Sequence, residues 1–203
     1  MNFSKQEEFW EKDFGNQYIS RNKSKNLLDS NINYFKNIFD GVDEINSCIE
    51  FGSNIGLNLL AIRTLYPSIK PLGIEINSLA CAEMEKENVP HLNESFLNDK
   101  FYGKFDLTFT KGVLIHINPN LLNLAYSQLY RSSNKYILLC EYYNNSPVTI
   151  PYRGFDEVLF KRDFAGDMLD LYSDLKLVKY GFSYIRDDYF QDDITFFLLE
   201  KSI

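Results

Sequence analysis

Apolar runs of strand length recur along the chain, and between them apolar residues return at helical spacing. Ile49–Phe51, Pro71–Ile76, Phe105–Thr110, Tyr136–Cys140, Leu175–Phe182 and Ile194–Glu200 read as strands, with a shorter one around His91 to Ser95. Leu27, Leu28, Ile32, Phe35, Ile38 and Phe39 share one face of a helix over 25–39, which Asp40-Gly41 ends. Leu57, Leu60, Ala61 and Leu65 begin another helix. Asn77 or Ser78 caps a third that runs to about Glu87, before Pro90. Asn118-Pro119 opens a fourth, with Leu121, Leu122, Leu124, Ala125 and Leu129 on its inner side; proline suits a first helical position. Strands alternating with helices predict an α/β, doubly wound parallel sheet, which binds ligands beyond the carboxyl ends of its strands.

Chemistry collects at that predicted edge. Ile49-Glu50-Phe51 feeds the small-residue turn Gly52-Ser53-Asn54-Ile55-Gly56 and then a helix. Glycines there let the backbone approach a ligand, and the helix start offers unpaired N–H groups. Glu50 is a carboxylate inside an apolar strand end. An unpaired buried carboxylate costs several kcal/mol, so Glu50 should meet a polar ligand or hydrogen-bond donors. Glu75 ends the next strand about 20 positions on, where an acid accepts hydrogen bonds from ribose hydroxyls. The pair points to a nucleoside cofactor. Lys111 and Glu141 end two later strands at the same edge.

Two further segments belong there. Residues 3–22 set Phe9, Trp10 and Phe14 on one helical face, interrupted at Gly15. They form either an amphipathic cap on the core or a lid over the cofactor, with Tyr18 and Arg21 supplying an aromatic wall and a cation. Residues 144–166 have prolines and no clean period, and predict a long ordered loop carrying the cations Arg153, Lys161 and Arg162. The turn Arg186–Asp193 reads as a solvated acidic hairpin tip, and no metal is assigned.

Composition narrows the partners. The 203 residues fit one domain. A formal net charge of −7 argues against nucleic-acid substrates, which are bound through basic surface. Cys48, Cys81 and Cys140 show no metal or redox spacing and read as buried thiols of a reducing cytoplasm. The polar amino terminus shows no signal peptide, and no run of roughly 18 apolar residues predicts a membrane span.

Taken together, Glu50-Phe51-Gly52-Ser53-Asn54-Ile55-Gly56, then Gly73-Ile74-Glu75, then the Asp106 strand, resemble the successive motifs of class I S-adenosylmethionine-dependent methyltransferases. The chain is more similar still to the methyltransferases associated with pseudaminic acid biosynthesis. That likeness rests on Phe9-Trp10, Phe14-Gly15, Tyr18-Ile19, Arg21-Asn22, Thr110–Pro119, Ile150–Gly154 and Lys161–Gly166, and it covers nearly the whole chain. It implies one Rossmann-like domain, 1–203, with a mostly parallel seven-stranded sheet ending in an antiparallel hairpin, an N-terminal helical lid (1–40) and a substrate loop (144–166).

By the same resemblance, Glu50, Gly52, Ser53 and Asn54 approach the methionine part of S-adenosylmethionine, and Glu75 takes the ribose hydroxyls. Ile76, Ser95 and Phe96 surround the adenine, Lys111 and Gly112 lie beside the methionine carboxylate or sulfonium, and Tyr18 and Arg21 close the lid. The first loop departs from the more glycine-rich form by carrying Ser53-Asn54, and the third-strand motif is only Glu94-Ser95-Phe96.

Methyl transfer is an in-line displacement that depends on alignment. An alcohol acceptor also needs a base, and His116 is the candidate, set against a purely structural histidine under the site floor. Tyr142, Tyr143, Asn144, Tyr152 and Arg153 are the candidate acceptor pocket. Its cations suit a small acidic nonulosonic sugar or its nucleotide-linked form. The rivals are an NAD-dependent sugar oxidoreductase, although the loop lacks GxGxxG, and a non-catalytic module that binds S-adenosylmethionine.

Overall fold

The computed structural model describes residues 3–19 and 25–202. Seven strands form one sheet in the order β3-β2-β1-β4-β5-β9-β8. They are β1 (Ser47–Phe51), β2 (Lys70–Glu75), β3 (His91–Asn93), β4 (Phe105–Lys111), β5 (Ser133–Glu141), β8 (Leu175–Ser183) and β9 (Ile194–Lys201). The first five pair in parallel, and β9 runs antiparallel between β5 and β8. The predicted sheet and its antiparallel C-terminal hairpin are therefore present.

Helices cover both faces, which is why the central strands read as unbroken apolar runs. On one side α3 (Lys25–Phe39), α4 (Leu57–Leu65) and α5 (Ser78–Lys86) bury Phe35, Ile38, Leu59, Ile62 and Met84 against Leu107 and Phe109. On the other, α6 (Leu122–Ser132) and α7 (Phe164–Leu171) pack Ala125, Leu129 and Met168 on Ile49, Phe51, Ile137 and Leu199. Each fully buried Phe, Leu, Ile or Met contributes about 1.5–3 kcal/mol. The chain leaves β1 toward β2 and β3, then crosses back to β4. The carboxyl ends of β1 and β4 thus flank the switch point where such sheets open a crevice.

Three local expectations change. The amino-terminal segment breaks at Lys12, not at Gly15, giving α1 (Lys5–Glu11) and α2 (Asp13–Ile19). Gly15 sits inside α2 because the helix is pressed onto its surroundings: a β-carbon there would run into the Trp10 carbonyl oxygen and meet Asn77 Nδ2 at 2.9 Å. The third strand stops at Asn93, after which the Ser95 hydroxyl turns the chain by accepting the Leu97 N–H at 3.1 Å. The loop 144–166 is stapled by a two-stranded ladder, β6 (Val148–Thr149) on β7 (Phe160–Lys161). Its last residues already belong to α7, whose first turn Asp163 caps through the Gly166 N–H at 2.8 Å.

Cys48, Cys81 and Cys140 are buried free thiols. Among the described residues no helix is long and apolar enough to cross a membrane, and no cluster of His, Cys, Asp and Glu could hold a metal ion.

Candidate functional site

A cavity of about 360 Å³ opens at the carboxyl ends of β1, β2 and β4, within the range of small-molecule sites. The turn after β1 builds its floor. Gly52 N–H and Ser53 N–H both donate to the Ile74 carbonyl, at 2.8 and 3.2 Å, which folds the turn onto the neighbouring strand. That geometry needs φ of +76° at Gly52, and a β-carbon there would meet Val113 Cγ2 at 2.7 Å. Asn54 follows with φ of 47°, a left-handed conformation that asparagine tolerates better than most residues. Its N–H donates to Glu75 Oε2 at 2.7 Å, while the Asn77 N–H donates to Oε1 at 2.8 Å. Burial pushes the Glu75 carboxyl upward, and these N–H donors oppose the shift. Glu75 thus ties β2 to the β1 turn and keeps lone pairs for a ligand.

Glu50 stands one layer behind this wall. It is fully buried and does not line the cavity. Asn58 Nδ2 donates to its Oε1 at 2.6 Å, and its Oε2 has no hydrogen-bond partner among the described residues. Desolvation drives its pKa up to about 8, against the hydrogen bond from Asn58 and the field of Lys111. Glu50 therefore reaches the cavity only through Asn58 and its neighbours.

At the end of β4, Lys111 lines the cavity with its ammonium 5.8 Å from the Tyr34 ring centroid. Desolvation lowers its pKa, opposed by the nearby groups Cys140, Glu50, Asp192 and Glu141. The next turn is held from beneath. Glu141 Oε1 accepts the N–H groups of Val113 and Leu114, both at 3.1 Å, and Oε2 accepts that of Ile115 at 3.4 Å. Burial raises Glu141 to about 7 in spite of these donors. This acid fixes the backbone on which the one buried histidine rides.

His116 Nδ1 lies 2.6 Å from the Val158 carbonyl oxygen. A carbonyl can only accept, so Nδ1 carries the proton and Nε2 keeps its lone pair. Burial lowers the pKa to about 4, leaving a neutral imidazole near pH 7. The Trp10 and Tyr152 rings lie 4.6 and 5.3 Å from it.

The roof comes from α1 and α2 together with the 144–166 loop. Phe9 stacks on Phe14 at 4.1 Å and meets Phe155 at 5.0 Å, and Trp10 meets Tyr18 edge-on at 5.3 Å. Polar ties fix this roof. Asn77 Nδ2 donates to Trp10 O and Asn16 Oδ1 at 3.1 and 2.8 Å. Ser95 Oγ donates to Glu7 Oε1 at 2.5 Å, and Gln6 Nε2 to Glu157 O at 3.0 Å.

Of the residues predicted for the cofactor, Tyr18, Gly52, Ser53, Asn54, Glu75, Ile76, Ser95, Phe96, Lys111 and Gly112 all line this one cavity, as does His116. Arg21 lies outside the described residues. Of the acceptor set, Tyr142 and Tyr152 line it. Tyr143 does not: side chains alternate past the end of β5, so it turns outward against Phe197 at 5.8 Å and stays exposed. Asn144 braces the loop instead, its Nδ2 donating to Ser146 O at 2.5 Å. Arg153 is exposed, its guanidinium 5.5 Å from the centre of the Tyr152 ring. Arg162 is not a free cation, since its Nε pairs with Asp167 Oδ2 at 2.7 Å. Lys161 sits 5.0 Å from the Tyr142 ring centre, and neither it nor Arg153 lines the cavity.

Sequence reasoning missed Glu7, Asn31, Asn58, Gln191 and Asp192, all on the cavity wall. The last two belong to the turn read as a solvated tip, yet Gln191 is 6% exposed. Burial pushes the Tyr142 phenol upward, reinforced by Asp192, which hydrogen-bonds it.

No protein-family model matches the chain, and no curated protein matches it in sequence. Its fold is similar to those of solved methyltransferases. The magnesium protoporphyrin IX methyltransferase of Synechocystis PCC 6803 with bound SAH matches with a TM-score of 0.68 at 12% identity, over 97% of this chain and 98% of that one. The plantazolicin methyltransferase in complex with SAH matches at 0.65 and 14% identity, over 98% and 94%. The mitomycin 7-O-methyltransferase matches at 0.69 and 11% identity over 98% of this chain, which spans only 61% of that enzyme. These likenesses show the Rossmann-like methyltransferase fold.

Proposed function

We propose that the chain is an S-adenosylmethionine-dependent methyltransferase acting on a small acidic sugar of the nonulosonic type or its nucleotide-linked form. The observation that carries the cofactor is the arrangement of polar groups along the cavity. Glu75, held by two backbone donors in the middle of the wall, keeps acceptor lone pairs for a ribose diol. Ile76 and Phe96 on one side offer flat apolar contact for a purine, beside the Ser95–Glu7 pair. On the other side Lys111, Asn31, Asn58 and Gln191 offer a cation and amides for an amino-acid group. A nucleoside joined to a zwitterion fits that order of donors. When bound, the cofactor supplies an electrophilic methyl on a sulfonium.

The chain's own residues do the rest. The aromatic roof excludes water around the reacting atoms and orients the acceptor against Trp10, Tyr142 and Tyr152. His116, fixed as the Nδ1–H tautomer by Val158, holds Nε2 ready to accept a proton from an acceptor hydroxyl. Its low pKa makes it a weak base, but one that is unprotonated at neutral pH. Lys161 and Arg153, beside the rings of the lining residues Tyr142 and Tyr152, favour an anionic acceptor on a chain of net charge −7. Incubation with S-adenosylmethionine and a deproteinised cell extract that holds sugar nucleotides beside neutral and basic metabolites, followed by mass spectrometry, tests this reading. An acidic sugar gaining one CH₂ supports it, whereas gain only on neutral or basic metabolites overturns the acceptor class.

A further inference from the structure

Three amide side chains and one carboxyl link four separate elements across the end of the cavity. Gln191 Nε2, on the β8–β9 turn, donates to Asn31 Oδ1 on α3 at 3.0 Å. Asn31 Nδ2 donates to Asn58 Oδ1 on α4 at 2.9 Å, and Asn58 Nδ2 donates to Glu50 Oε1 on β1 at 2.6 Å. Gln191 and Asn31 are 6% and 5% exposed, and Glu50 is fully buried. The three amides nevertheless line the cavity.

The chain has a direction. Asn58 sets its NH₂ against Glu50 Oε1, and an NH₂ can only donate, so this oxygen accepts in either protonation state and the Asn58 carbonyl faces Asn31. Asn31 must then present its own NH₂ to Asn58 and its carbonyl to Gln191. Gln191 spends its NH₂ on Asn31, and its Oε1 is the terminal acceptor of the series. One buried carboxyl thereby decides what a residue 141 positions away (191 − 50) offers to a ligand.

We infer that Gln191, oriented through Asn31 and Asn58 by Glu50, is a binding residue that presents a carbonyl oxygen to the α-ammonium of the cofactor's amino-acid group. Lys111 at the same end takes the opposite charge, the carboxylate. An ammonium and a carboxylate on one carbon are met by an acceptor and a cation on two different elements. The β8–β9 turn thus becomes part of the cofactor site, and the free energy of cofactor binding is coupled to the docking of that turn on α3. This inference rests on the methyl-donor reading above.

Calorimetric titration with two adenosine thioethers separates the inference from that reading. S-adenosylhomocysteine carries the amino-acid group, and 5′-methylthioadenosine lacks it. Wild type should bind both. Gln191→Met, which keeps length and removes the carbonyl, should weaken S-adenosylhomocysteine by about tenfold or more, as expected for a hydrogen bond to a charged group, and leave methylthioadenosine unchanged. Glu50→Met, which removes the acceptor at the head of the series, should show the same selective loss. Retained methylthioadenosine binding reports that the variants are folded. Equal loss of both ligands, or no loss of either, in Gln191→Met overturns the inference and leaves the cofactor reading intact. A wild type that binds neither overturns both.

Discussion

His116 Nδ1 donates to the carbonyl oxygen of Val158 across a 2.6 Å contact, joining the turn after β4 to the loop that follows β5. One bond fixes the tautomer of the candidate base and anchors the loop that carries Tyr152 and Arg153. Function and local stability therefore meet at this histidine, and they can be separated by pH.

For stability, the folded pKa of about 4 lies below the ordinary value of 6.5. The unfolded chain therefore binds a proton first on acidification. The neutral histidine's contribution is whole above pH 6.5 and is lost as pH falls through 4, amounting to at most about 3 kcal/mol. Urea midpoints measured from pH 7.5 to 4 should fall more steeply in wild type than in His116→Asn. Parallel curves would mean that His116 is not buried neutral.

For catalysis, His116→Ala should lower kcat by about two to four orders of magnitude if Nε2 takes the acceptor proton. The wild-type pH–rate profile should lose activity only below about pH 5, and the variant should lose that limb. An unchanged profile would leave His116 a purely structural residue.

Glu141 has the opposite sign. Its folded pKa, raised to about 7 from 4.5, makes ionisation costly. Its contribution is full below pH 4.5 and fades as pH rises through 7. Glu141→Gln removes that dependence but keeps only one accepting oxygen for the Val113, Leu114 and Ile115 donors. The variant should be less stable than wild type at pH 5 by about 1–3 kcal/mol, with the gap narrowing toward pH 8. Thermal melts across that range provide the check, and a constant gap would contradict the assignment.

Gly15 tests the roof. Alanine there must displace Trp10 or Asn77. Because α1 and α2 contribute no residue to the two main clusters on the faces of the sheet, Gly15→Ala should leave the main unfolding transition nearly in place. Limited proteolysis within residues 5–19 should speed up severalfold. Equal protection in both proteins would show that the roof tolerates the extra methyl.

Most of this framework was legible in the sequence because it follows from local pattern. β1 ends at Phe51, just before Gly52, Asn77 rather than Ser78 caps α5, and the acid at 75 ends β2 where an apolar run stops. What escaped depends on contacts distant in sequence. The run Asp187–Asp193 looks solvated by composition, but pairing β8 with β9 brings Gln191 under Asn31, 160 residues earlier in the chain. Ser95 meets Glu7 across 88 positions in the same way. Residue type alone puts Tyr143 and Arg153 in the pocket. Strand alternation sends the first outward, and the second is exposed with its guanidinium near the Tyr152 ring, outside the cavity lining. Arg153→Ala should accordingly raise the acceptor KM severalfold and leave cofactor affinity near wild type, as read by initial rates alongside calorimetry.

The claim that the cavity holds a methyl donor through Glu75 is tested most directly by calorimetric titration of wild type, Glu75→Ala and Gly52→Val with S-adenosylhomocysteine. Wild type should bind in the micromolar range, near −8 kcal/mol. Both variants should lose at least about tenfold, one by removing the ribose acceptor and the other by forcing a side chain onto Val113. A wild type that gives no binding heat, or two folded variants that bind as tightly as wild type, would contradict it.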